Sequence, residues 1–356
     1  MKRWILFIVV LAACSAPAAS TSTATTTAAT TSDVPTTSPA SLSLVPPPRG
    51  YLAMSSLSED LGVMVFGGFE TPPAPDGDGS PLTDTWIYNT DWAEVGKEPP
   101  AATGDTITFD SGSGQVILYT IAARDWSDVN EVWSYDIDND HWRKMSDEHI
   151  PRGMFGPRLV YDSESDVVLL IGPRGPSLET WAYDVSADSW AKMEPQVSPP
   201  GRDFAAFTYD SGSDRVLLFG GFPPLSDETM ADTWAYDYNS NTWTDLTSEV
   251  SPAARGYTAL AYDPITDKTY LFGGLPYPDS LNDTWSFDAK SSSWTELFPT
   301  SAPPPRGTHG MAYNPVDHSI VMFGGGVRVG GGPDWEALPA ETWIYDPGSN
   351  TWNETP

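Results

Sequence analysis

The chain has 356 residues, 48 acidic against 18 basic side chains, a formal net charge of −30 and a single cysteine. So acidic a surface repels phosphate backbones and anionic headgroups, which argues against a nucleic-acid partner and fits solubility in a salty or acidic medium. One cysteine excludes an internal disulfide, so stability must come from packing.

The first residues read MKRWILFIVVLAACS. Lys2 and Arg3 make a positive start, and Trp4 to Ala13 is an apolar run too short to anchor stably across a bilayer, the pattern of an export signal over 1–13. Leu11-Ala12-Ala13-Cys14 resembles a bacterial lipobox, in which the chain is cut before the cysteine and the cysteine carries lipid. Lipidation at Cys14, an exported location facing the periplasm or the cell exterior, and a membrane contact through that lipid are the expectations. Residues 14–45 are rich in Ser, Thr, Ala and Pro. Such a stretch has too little to bury to offset its ordering entropy, so a disordered stalk spanning about 30 Å is expected. No later stretch approaches 18 consecutive apolar residues.

From residue 46 onward the chain repeats. A Trp-x-aromatic unit occurs six times, with its tryptophan at Trp86, Trp133, Trp181, Trp234, Trp285 and Trp343, each preceded by an acidic residue two positions earlier. A second tryptophan follows each, at Trp92, Trp142, Trp190, Trp243, Trp294 and Trp352. The first set is spaced by 47, 48, 53, 51 and 58 residues. Ahead of most units lies an apolar run ending in Gly-Gly, as at 63–68, 216–221, 269–274 and 320–325, and ahead of that a corner bearing an arginine: Arg49, Arg152, Arg202, Arg255 and Arg306. Asp-led hairpins such as 210–214 and 263–267 separate the runs and read as turns rather than calcium loops, for they lack the spacing and closing glutamate of one.

Each repeat therefore predicts four short antiparallel strands, A to D. Six such sheets arranged radially bury one another's faces, so the expected fold is an all-β, six-bladed β-propeller over 46–356, with blades near 46–98, 99–149, 150–197, 198–250, 251–302 and 303–356. Gly-Gly after an apolar strand, a tyrosine about twenty residues on and a tryptophan beyond it, at a period near 50, resembles the kelch repeat. The resemblance weakens in blade 2, with Tyr119-Thr120 for the glycines and Thr103 for the arginine. Blade 3 has Gly172-Pro173, and blade 1 has a shortened C–D hairpin.

Strand A begins at the arginine and strand B ends at the glycines, so both features share a face with the B–C and D–A loops. In kelch proteins this resembles the ligand-holding face. The five arginines are expected to ring the channel mouth there as an anion-accepting collar, with His309 near the channel. Trp126 and Trp335, the two tryptophans on B–C loops, are candidate stacking platforms. The long B–C loops of blades 1 and 6 should overhang the seam between them. The resemblance also brings two enzyme types into view, copper radical oxidases of the galactose oxidase type and periplasmic sialic-acid mutarotases. The first needs a cysteine crosslinked to tyrosine and two copper-binding histidines. Here Cys14 is assigned to lipid and the four histidines are scattered. The expectation is a monomeric binding module for a protein or glycan at the cell surface, with no metal, cofactor or catalytic residue assigned. A mutarotase-like sugar enzyme and a structural part of an envelope assembly are the alternatives.

Overall fold

The computed structural model describes residues 45–355 apart from 71–80, 98–99, 101–102, 122–129, 147–148, 155, 329–335 and 338–339. The expected leader, Cys14 and the linker as far as residue 44 lie outside the described residues.

Six four-stranded antiparallel sheets follow one another along the chain, each ordered A-B-C-D in sequence. Blade 1 comprises Ala53–Ser56, Val63–Phe66, Thr85–Tyr88 and Trp92–Val95, and blade 2 comprises Thr103–Asp110, Gln115–Ile121, Asn130–Asp136 and His141–Lys144. Blade 3 comprises Arg158–Asp162, Val167–Arg174, Ser177–Asp184 and Ser189–Met193, and blade 4 comprises Ala206–Asp210, Arg215–Phe219, Thr233–Asp237 and Thr242–Asp245. Blade 5 comprises Ala259–Asp263, Lys268–Gly274, Leu281–Asp288 and Ser293–Leu297, and blade 6 comprises Gly310–Asn314, Ser319–Phe323, Thr342–Asp346 and Thr351–Thr355. The A strands touch their neighbours all the way round, blade 6 against blade 1 included. The expected six-bladed propeller is the fold, and its ring closes by packing, with every blade made from one contiguous segment.

The core is not one mass. It consists of six clusters, each filling the wedge between two successive blades. The B strands run through the middle of these wedges and are buried on both faces, which is why Val63–Phe66 and Ser319–Phe323 are apolar almost without alternation. Large rings fill the outer part. Trp142 lies 5.2 Å from Phe66 of the preceding blade, Trp294 5.1 Å from Phe219, Trp352 5.1 Å from Phe272 and Trp92 4.9 Å from Phe323.

Two hydrogen-bond devices register one blade on the next. In four blades the indole of the D strand donates to the threonine that precedes the C-strand tryptophan one blade back: Trp243 to Thr180 at 3.3 Å, Trp294 to Thr233 at 2.9 Å, Trp352 to Thr284 at 3.1 Å and Trp92 to Thr342 at 2.8 Å. In addition, the second glycine of the Gly-Gly pair donates its N–H to the carbonyl of the next blade's arginine. Gly221 donates to Arg255, Gly274 to Arg306 and Gly325 to Arg49, each at 2.8 Å, the last closing the ring. Glycine is required here. Gly220 has φ +67°, and a Cβ on it would stand 2.3 Å from the Arg255 carbonyl. Blade 3 dispenses with the device. Pro173 has no N–H to give, and strands B and C there run on into a tight hairpin in which Arg174 pairs with Ser177.

The far face carries the hairpins. In most of them the leading Asp or Asn accepts backbone N–H groups two or three residues on, as Asp162 does from Glu164 and Ser165 and Asp263 from Ile265. The closing residue takes a left-handed conformation, φ 53° at Asp166 and 54° at Asp214, and accepts the hydroxyl of the tyrosine five residues earlier, Tyr161 and Tyr209. These carboxylates are turn chemistry.

The indole device has two gaps: Trp142 and Thr85 stand in the right places without bonding, and the other gap follows from residue type. Blade 2 carries Val132 where other blades carry threonine, and the buried Nε1 of Trp190 in blade 3 has no partner among the described residues. Val132→Thr should therefore raise stability by about 1 kcal/mol, whereas Thr233→Val, which orphans the indole of Trp294, should cost about 1–3 kcal/mol. Urea unfolding of the two variants checks this, and a loss of stability in Val132→Thr contradicts it.

Candidate binding face

At the end of the ring that carries the Gly-Gly pairs, four of the five repeat arginines are fully buried. In blade 4, Arg202 donates from Nε to the Pro200 carbonyl at 3.1 Å and from Nη1 to the Gly220 carbonyl at 3.1 Å. It also grips both oxygens of Asp232 at 2.6 and 2.8 Å, and Asp232 accepts the indole N–H of Trp234 at 2.7 Å. The same set recurs as Arg49 with Asp84 and Trp86 and as Arg255 with Asp283 and Trp285. In blade 6 the acid is Glu341, reached by one bond of 3.1 Å from Arg306. Each guanidinium thus ties the start of strand A to the end of B and the start of C.

This corrects the expected anion collar. Arg49, Arg202, Arg255 and Arg306 spend their donors inside their own blades, because a buried guanidinium must be met by a carboxylate and carbonyls to offset its lost hydration. Arg152 differs. It is exposed, and the acid of its blade, Glu179, pairs instead with Lys192 at 2.6 Å from strand D. Blade 2 does likewise, Glu131 pairing with Lys144 at 2.9 Å. Trp126 and Trp335 lie outside the described residues.

The side chains that do gather over the channel sit two positions past the arginine. Tyr51, Phe204, Tyr257 and Thr308 all have left-handed backbone, with φ of 56°, 55°, 55° and 60°. This turns their side chains out of the blade. The backbone forms an arc round the mouth, Tyr51 donating to Thr308, Thr308 to Tyr257 and Tyr257 to Phe204 at 2.9, 2.9 and 3.1 Å. The Phe204 and Tyr257 rings lie 4.3 Å apart, and Tyr51 reaches them at 6.4 and 5.9 Å from the opposite side of the ring. Arg-x-aromatic at 49–51, 202–204 and 255–257 is the sequence signal that marks this cluster.

Beside the cluster a groove of about 320 Å³ runs over blades 4 and 5. Phe204, Phe222, Tyr257 and Tyr277 supply its rings, and Asp203, Asp227 and Arg328 its charges. Leu225 at the rim is fully exposed. Burial pushes the Asp203 carboxyl above its ordinary value. Arg328 comes from the B–C loop of blade 6, lies 5.1 Å over the Tyr277 ring and exchanges hydrogen bonds with Ser280 at 3.0 Å. The described part of that loop therefore leans on blade 5 rather than over the seam with blade 1.

The clamps have a measurable signature. Burial opposes ionisation of Asp84 and Asp232, but the hydrogen bonds and charge of the paired arginine, with the indole N–H, outweigh it and hold both below their ordinary value. A carboxylate held low in the folded state contributes fully above the unfolded value of about 3.9 and loses that contribution as pH falls through the lower folded value. Asp232→Asn, which leaves Arg202 buried without a counter-charge, should cost about 3–5 kcal/mol at neutral pH, and its stability should fall less steeply than the parent's below about pH 4. Arg202→Met should cost less, since the carboxylate left behind still reaches solvent. Denaturant unfolding across pH checks both, and a larger loss in Arg202→Met refutes the assignment.

Comparison with known families is consistent with this geometry. The KLHDC2/KLHL20/DRC7 Kelch-repeats domain matches residues 169–356, which begin in strand B of blade 3 and take in blades 4 to 6, where clamp and Gly-Gly pair are complete. A fold of this type fits a protein-binding module in general. With more than half its length matched, and six blades of that design, the chain belongs to the kelch-repeat β-propeller family.

Proposed function

We propose that this propeller is an exported binding module, tethered through lipid on Cys14, that holds a protein or glycan partner at the groove over blades 4 and 5. The groove carries the reading. It combines four aromatic rings with a few charges, and a fully exposed leucine beside them is apolar surface without an evident structural use. Rigid rings with polar edges suit either a partner's side chains or the apolar face of a sugar. The far face offers less, since its hairpin carboxylates are engaged with their own backbone. The lipobox-like LAAC and the Ser/Thr/Ala/Pro stretch support the tether.

Two outcomes test this. A photoreactive group at Leu225 should crosslink a cell-envelope protein or polysaccharide on intact cells, and one at Ile265, exposed on the far face, should not. Equal capture from both positions defeats the groove assignment. Leu225→Glu and Tyr277→Ala alter exposed side chains, so they should leave the fold intact while weakening capture at least tenfold, about 1.4 kcal/mol. Separately, Cys14→Ser should abolish incorporation of labelled fatty acid and release the protein from membranes. Unchanged labelling removes the tether but not the groove.

A further inference from the structure

Below the aromatic cluster, residues in the first halves of the six A strands enclose a channel cavity of about 110 Å³. The ladder registers place Ala53, Thr106, Arg158, Ala206, Ala259 and Gly310 at one level, since each pairs with the residue that ends the apolar run of its B strand. Five of the six are small and uncharged. The sixth is Arg158 of blade 3, the one cation among the described residues lining this space.

Arg158 is unlike the clamp arginines. Its single hydrogen bond runs from Nη1 to the carbonyl of its neighbour Pro157 at 3.2 Å, and among the described residues no carboxylate pairs with it. It lies deep enough for burial to pull it below its ordinary value, yet it keeps partial contact with the cavity. His309 of blade 6 also borders this space, but its ring packs 5.8 Å from Phe272 of blade 5, and its two ring nitrogens are buried without a partner among the described residues. Burial and the nearby Arg306 charge hold this imidazole down to about 3, so it is neutral with one N–H to donate.

The guanidinium donors of Arg158 border a cavity whose other walls are mostly small or apolar. Buried charge without a partner is costly, and at this level the chain supplies none. We propose that the channel cavity at Arg158 is a binding site for a small monovalent inorganic anion, chloride being the physiological case. The ion supplies the counter-charge that a carboxylate supplies to the clamp arginines. The small residues at the same level make the room, and the Tyr51, Phe204 and Tyr257 rings stand between the site and the loop face. The site is separate from the groove and does not depend on it.

The test uses the full chain in detergent at constant ionic strength, with chloride exchanged for gluconate, an anion too large for the cavity. The unfolding midpoint should rise saturably with chloride, by about 2–4 °C when the site is filled. Arg158→Met should remove that dependence while keeping the tryptophan fluorescence of the fold. A midpoint indifferent to the exchange, or one with the same chloride dependence in Arg158→Met, overturns the proposal. Should Arg158→Met fail to fold, the parent alone decides. Crystals grown in bromide should give an anomalous peak in the cavity beside the Arg158 guanidinium, and its absence overturns the site.

Discussion

Everything on the loop face depends on how a buried guanidinium is met. Arg49, Arg202 and Arg255 have almost no solvent contact, and each is held by a two-oxygen grip from an aspartate that also takes an indole N–H. The grip fixes where strand A starts relative to the B–C corner. The carbonyls of Arg49 and Arg255, like that of Arg306, are then aimed at the glycine N–H of the preceding blade. One residue thus works in two directions, its side chain within a blade and its backbone between blades. A lysine cannot reproduce this, for it lacks the planar fork that grips two oxygens at once. Where lysine takes over, in blades 2 and 3, it comes from strand D on the outside and its pair with Glu131 or Glu179 is partly solvated.

The same constraint explains how the sequence was legible and where it misled. Aromatic markers, glycine pairs and hairpin aspartates recur because each occupies one structural position per blade, so the blade count could be read even where blade 2 lacks its glycines and blade 3 has Pro173. The arginines recur for the same reason. Repetition reports a role in the fold at least as readily as a role in binding, and sequence alone does not say which way a guanidinium points. The residue that is not repeated proved more informative. Arg158 stands at a level filled elsewhere by Ala53, Ala206, Ala259 and Gly310, and only the ladder register brings these into line. Tyr51, Phe204 and Tyr257 were hidden differently, since their turn toward the channel follows from left-handed backbone that the residue types do not announce.

The division of labour between the two faces follows from the same local chemistry. On the far face the loops are short, and Asp or Asn at both ends of a hairpin spends its oxygens on backbone N–H groups and a tyrosine hydroxyl. Much of the acidic excess is therefore a by-product of making the blade turns sharply, and its carboxylates are not spare ligands. The loop face is built oppositely. Four of its repeat arginines are withdrawn into clamps, and aromatic rings stand at its surface round the groove.

That separation also bears on the channel. A lone cation surrounded by small residues would be a liability in a core, yet closing the ring from contiguous blades leaves the A strands unable to fill the axis. Ala53, Ala206, Ala259 and Gly310 allow the inner edges to come close, and the remaining space must be occupied or solvated. An arginine paired with a mobile ion meets this need without demanding a fitted side chain from every blade. The stability of the ring would then depend partly on the anion content of its surroundings. Recognition at the groove, set off to one side over blades 4 and 5, would remain free to vary.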